Sequence, residues 1–119
     1  MNKIIQTAGG IFFLFIAQAV FACDYPSRIA MPDGATATKE EMLVGVKKVE
    51  QFKQEMQAYL ACILEDEKAA RAVIDDLEPE VEQQREEMLT MKHNAAVEDE
   101  EKMVAQFNVE IRAYKDANE

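Results

Sequence analysis

Tryptophan is absent from this chain, and beyond residue 22 it keeps one histidine, His93, and one serine, Ser27. Nucleophilic catalysis therefore has little to draw on, because Ser27 has no histidine near it in sequence. Glycine and proline are equally scarce. Past residue 22 only Gly34, Gly45, Pro26, Pro32 and Pro79 remain, mostly outside the periodic stretches, which is the composition of a mostly helical chain. Internal repeats and low-complexity tracts are missing. Positive charge is also in short supply. Thirteen basic against 23 acidic residues give a formal net charge of −10, which argues against nucleic acid and anionic lipid head groups as partners, since like charge repels.

What is present begins with residues 1–22, which have the form of a signal peptide. Lys3 supplies the positive start, Ile11 to Ala17 a short apolar run, and Val20-x-Ala22 a small-residue cleavage pattern. Cleavage after Ala22 predicts a mature chain that begins at Cys23 in the periplasm, where disulfides form and persist. A second acceptable cut follows Ala17-Gln18-Ala19. An uncleaved anchor fits less well, because Gln6, Thr7, Gly9, Gly10 and Gln18 interrupt a stretch that would need ~20 apolar residues to span. Val20-Phe21-Ala22-Cys23 also has the outline of a lipobox, in which Cys23 would carry lipid and fasten the protein to a membrane. Phe21 is bulky for that motif, and a lipidated Cys23 would leave Cys62 as an odd thiol in an oxidising compartment.

With two cysteines in the chain, pairing of Cys23 with Cys62 is the simpler account. Cys62 lies 24 residues beyond Thr38, about 36 Å along a helix axis. The segment from 23 to 38, fully extended, reaches up to about 50 Å, so it can run back along the helix to close the bond. Closing this loop of 39 residues is worth roughly 4 kcal/mol by loop-closure entropy.

Without its first 22 residues the 119-residue chain keeps 97, enough for one small domain. The prolines in Tyr25-Pro26 and Met31-Pro32 favour extended backbone before them, so residues 23–37 form an extended strap. Met31-Pro32-Asp33-Gly34 suits a type I turn. Thr38 and Glu41 have the spacing of a capping box that opens the hairpin of residues 38–119. Helix 1 is expected over about 39–75, with apolar positions Met42, Val46, Val49, Phe52, Met56, Tyr59 and Ile63. Helix 2 is expected over about 79–116, with Pro79 either starting it or bending it. Its apolar positions are Val81, Met88, Met91 and Ala95, then, after a register change, Val97, Val104, Phe107, Ile111 and Tyr114. A short connection makes the two helices antiparallel neighbours. With the hinge near 76–77, Met42 meets Ile111, Val46 meets Phe107, Val49 meets Val104 and Met56 meets Val97. The fold class is thus all-α: a coiled-coil-like antiparallel two-helix hairpin with a disulfide-tied N-terminal strap. A bare hairpin buries little, so the strap is expected to cover the groove near Leu43 and Leu60, or a second copy to cover it. Close approach of the strap would explain Gly45, which in mid-helix costs about 1 kcal/mol relative to alanine.

Charge is concentrated. Residues 65–101 hold fourteen acids and four bases, residues 23–64 six and five, and residues 102–119 three of each. The turn end of the hairpin is therefore strongly acidic. That is a solvated tip or, more sharply, a surface for a basic partner or for divalent cations. Met88-x-x-Met91-x-His93 offers soft-metal donors, but His93 lies about 200° around the helix from Met91, and methionine at helical spacing usually fills core gaps. Asn94, set opposite Tyr59 and Leu60, is expected to be a polar residue in the seam that fixes register.

The leading Cys23, the run Met31-Pro32-Asp33-Gly34-Ala35-Thr36-Ala37, Tyr59-Leu60-Ala61-Cys62, His93-Asn94-Ala95-Ala96-Val97, Phe107-Asn108 and Arg112-Ala113-Tyr114-Lys115 together resemble a group of small exported, uncharacterised helical proteins of Gram-negative bacteria. The resemblance spans nearly the whole chain beyond the leader. It implies a shared fold and a periplasmic address, and brings no activity or functional residue. The sequence thus points to a non-enzymatic interaction or structural module with an unknown protein partner, self-association included, and with no cofactor. A lipoprotein held at the envelope through Cys23 is one alternative, and a metal-binding periplasmic protein another.

Overall fold

The computed structural model describes residues 23–119; the expected signal peptide and its cleavage site at Ala22 lie outside the described residues. The chain is all-helical there: α1 spans Lys39–Ala72, α2 spans Pro79–Ala117, and an extended segment precedes them. Thr38 opens α1 with the expected capping box. Its side-chain oxygen accepts from the Glu41 amide at 3.2 Å, while the Thr38 amide donates to the Glu41 carboxylate at 2.7 Å. The helix stops at Ala72, three residues short of the expected end. Val73 and Ile74 are β-branched, and Asp75 and Asp76 would meet the negative end of the helix dipole. Pro79 starts α2 rather than bending it, where its missing N–H costs nothing.

The two helices pack antiparallel. Glu67 reaches Arg85 near the turn, whereas Gln57, farther back along α1, reaches Glu100, farther on along α2. The buried face of α1 steps alternately three and four residues through Met42, Gly45, Val49, Phe52 and Met56, and reaches Ile63 two turns on, past partly buried Tyr59 and Leu60. That 3.5-residue spacing is the signature of a coiled-coil seam. One core cluster holds Phe52, Met56, Ala96 and Met103; a second, nearer the chain's open end, holds Met42, Val49 and Phe107, with Val104 and Ile111 packed on it.

Two expected pairings change. Val46 is 41% exposed, and Gly45 takes its place against Phe107: a Cβ on Gly45 would lie 2.9 Å from the Phe107 ring and 3.0 Å from Pro32. Glycine lets helix, ring and strap meet at one point. Opposite Met56 the fully buried residue is Ala96, with Val97 only half-buried.

The strap runs antiparallel to α1 and bridges to α2. Cys23 is bonded to Cys62 with Cα atoms 5.7 Å apart, 39 residues of sequence between them. Ile29 and Met31 pack on both core clusters. Tyr25 stacks edge-on against Tyr59 at 4.8 Å and donates its hydroxyl to Asp99 at 2.5 Å. Farther along, the Gly34 amide donates to Glu110 at 2.8 Å. The turn sits two residues later than expected: Thr36 and Ala37 donate to the Asp33 carbonyl, and the Asp33 side chain accepts from the Ala35 amide. Gly34 is needed for space, since a Cβ there would collide with the Glu110 carbonyl oxygen. Leu43, expected beneath the strap, faces solvent, whereas Leu60 packs on the core.

Candidate interaction surface

Beyond Ile63 the seam between the helices turns polar. Glu67 sits between two arginines: Arg85 donates to both its oxygens, at 2.9 and 3.2 Å, and Arg71 donates at 3.0 Å. Arg71 also lies 3.3 Å from Glu82 and 3.8 Å from Glu86. These hydrogen bonds, Arg85's first, hold the Glu67 carboxyl below its ordinary pKa. A general acid needs the opposite, a carboxyl raised by burial in an apolar cleft.

Since Arg85 takes the inward position, the neighbours expected in the stripe turn outward. Val81, Met88, Met91 and Ala95 are all exposed, Met91 by 69%, and the inward face of α2 is Arg85, Leu89, Ala96, Met103 and Phe107. Asn94 is a further correction. It faces water and does not sit in the seam, because Ala96 fills the tight position beside Met56. His93 is exposed as well. Among the described residues no three His, Cys, Asp or Glu side chains come together as a group able to hold a metal ion.

The turn-proximal third therefore carries Val73, Ile74, Val81, Met88 and Met91 in contact with water, within the segment that holds fourteen acids, with exposed Leu64 just before it. Between the helices it has two shallow grooves. One, about 560 Å³, continues the line of the strap past Cys23 and is lined by Ile63, Val81 and Met88 together with Asp66, Arg85 and Lys92. The other, about 510 Å³, is mostly apolar, with Leu60, Ala61, Ile63, Leu64 and Leu89 for walls and His93 at its edge. Hydrophobic periodicity places neither. The signal that could have found them is Arg85, a base falling at seam spacing from Leu89 and Ala96 and facing acids on α1. Among the described residues no helix is long and apolar enough to cross a membrane. The chain matches no protein-family model, no curated protein and no solved structure.

Proposed function

We propose that this chain is exported to the periplasm and works there without catalysing a reaction, as a module that presents the turn-proximal third of its hairpin to another protein. One observation carries the reading. The strap closes the groove between the helices at the open end, where Leu43, Val44 and Val109 are exposed outside it, whereas near the turn no described residue covers that groove and Val81, Met88 and Met91 stand in water among acids. Exposed apolar patches with polar rims mark interaction sites. The disulfide supports an oxidising address, and the resemblance drawn above supports the same compartment. A soluble form is favoured over a lipoprotein, because the Cys23 sulfur cannot carry a lipid thioether and the bond to Cys62 together. Intact mass from the native host tests this: a gain equal to a diacylglycerol and a fatty acid rejects the soluble form. The interaction reading is tested by photo-crosslinking in the same host from Met88 and Met91, with Gln51 at the strapped end as control. Adducts are expected from the first two. None above the control removes the reading.

A further inference from the structure

Resting on that interaction reading, we infer that the groove between Leu60, Leu64 and Leu89 receives a basic amphipathic helix of the partner protein. Geometry comes first. On α1, Leu60 and Leu64 lie about 160–200° around from Cys62 at ~100° per residue, so this groove opens on the side away from the strap. The strap covers one side of the hairpin, and the described residues leave the other open. Both walls are helices, and the hollow between two helical ridges is the shape a third helix fills, by apolar residues at i, i+3, i+4 and i+7. Leu64 is already 45% exposed and Leu89 half-buried, so docking would remove apolar surface from water without rearranging the core.

Charge decides what kind of helix. The groove itself has no acid on its walls, but Glu86 and Glu100 lie on the same face of α2, one turn before Leu89 and two turns after His93. Glu100 is held at the rim by Gln57, 3.4 Å away. Three of the four bases between residues 65 and 101, Lys68, Arg71 and Arg85, already hold acids of this chain. Glu86 is one of the acids Arg71 reaches, at 3.8 Å, so the uncompensated charge belongs to the segment as a whole, fourteen acids against four bases, and it asks for a partner with lysines or arginines flanking an apolar stripe. A second copy would bring the same surplus of acids to the contact. The neighbouring groove past Cys23 mixes Asp66 and Glu67 with Arg85 and Lys92 on its walls and selects less sharply.

The probe is a fluorescein-labelled peptide of about 14 residues, four helical turns, with leucine at stripe positions and lysine elsewhere. Its control has the same composition in an order that destroys the stripe. At near-physiological salt, anisotropy should show the striped peptide binding at least ~10-fold tighter, and Leu64→Asn should weaken it about tenfold, which is ~1.4 kcal/mol. Amide shifts in a nitrogen-labelled protein should centre on Leu60, Leu64, Leu89 and His93. Equal binding of the two peptides, or shifts centred on Asp75 to Glu82, would mean that charge alone attracts and would overturn the groove. So would a concentration-dependent dimer in sedimentation that Leu64→Asn abolishes, since the groove then belongs to a second copy. Crosslinks from Met88 that persist in Leu64→Asn reject the groove and keep the interaction reading. Their absence from Met88, Met91 and Leu64 alike rejects both.

Discussion

At the open end, Phe52, Met56 and Phe107 are shut between two helices and a strap; near the turn, Val81, Met88 and Met91 stand in water on one of those same helices, and Val73 just past the end of the other. The helices are equally regular in both regions, so backbone propensity does not separate them. What separates them is the third element. Where Ile29 and Met31 lie over the groove, the seam can be apolar and tight enough to need Gly45. Past Cys23 no described residue covers the groove, and an ion-pair network around Glu67 links the helices there. Buried core is concentrated at one end; exposed apolar side chains occur at both, Leu43, Val44 and Val109 at the open end and the more adaptable Met88 and Met91 near the turn.

That contrast can be broken most directly by truncation at matched sites. Phe52→Ala should cost about 3–5 kcal/mol in urea denaturation, while Val73→Ala, at a site 82% exposed, should stay within about 0.5 kcal/mol. Equal losses would erase the distinction. Replacing Cys23 and Cys62 together by serine should cost roughly 4 kcal/mol, and hydrogen exchange should then quicken in residues 24–37 before it quickens around Arg85. Gly34→Ala should cost about 1–3 kcal/mol through overpacking, because the new methyl collides with backbone of α2 that cannot swing aside. Its signature is loss of strap protection with the turn end unchanged.

Two smaller effects sharpen the picture through pH. Burial, then the hydrogen bond to Asp99, push the Tyr25 phenol up to about 12 from 10. A raised folded value means that this contribution is whole below pH 10 and lost as pH climbs through 12. Tyr25→Phe should flatten that alkaline limb and cost near the low end of ~0.5–1.5 kcal/mol, because the residue is 44% exposed and water competes. Glu67 runs the other way. Its lowered pKa gives stability that is present above 4.5 and lost as pH falls through the folded value. Glu67→Gln should give the smallest change at neutral pH and remove that acid slope, read from denaturation midpoints between pH 5 and pH 2.

Much of the open end was legible in the sequence. Met42, Val49, Phe52, Met56 and Ile63 carry their own period, Thr38 and Glu41 their own cap, and two cysteines alone in the chain their own pairing. Gly45 was half-legible. Its presence asked for a close approach, yet a stripe drawn from side-chain hydrophobicity steps over a residue that has none and lands on Val46. The turn end misled for a related reason. Arg85 and Glu67 form a polar seam, which an apolar template cannot see, so Val81, Met88, Met91 and Asn94 were assigned the inward face. The strap's grip on Asp99 and Glu110 is set by contacts more than seventy residues apart in sequence, beyond the reach of any local pattern.

The bond between Cys23 and Cys62 closes residues 23–62 into a covalent ring, and that ring contains an exposed turn at Ala35-Thr36. A single protease nick there separates nothing: the severed strap stays fastened to α1, and the mass changes only by one added water. The molecule can be clipped once there and still keep every one of its atoms.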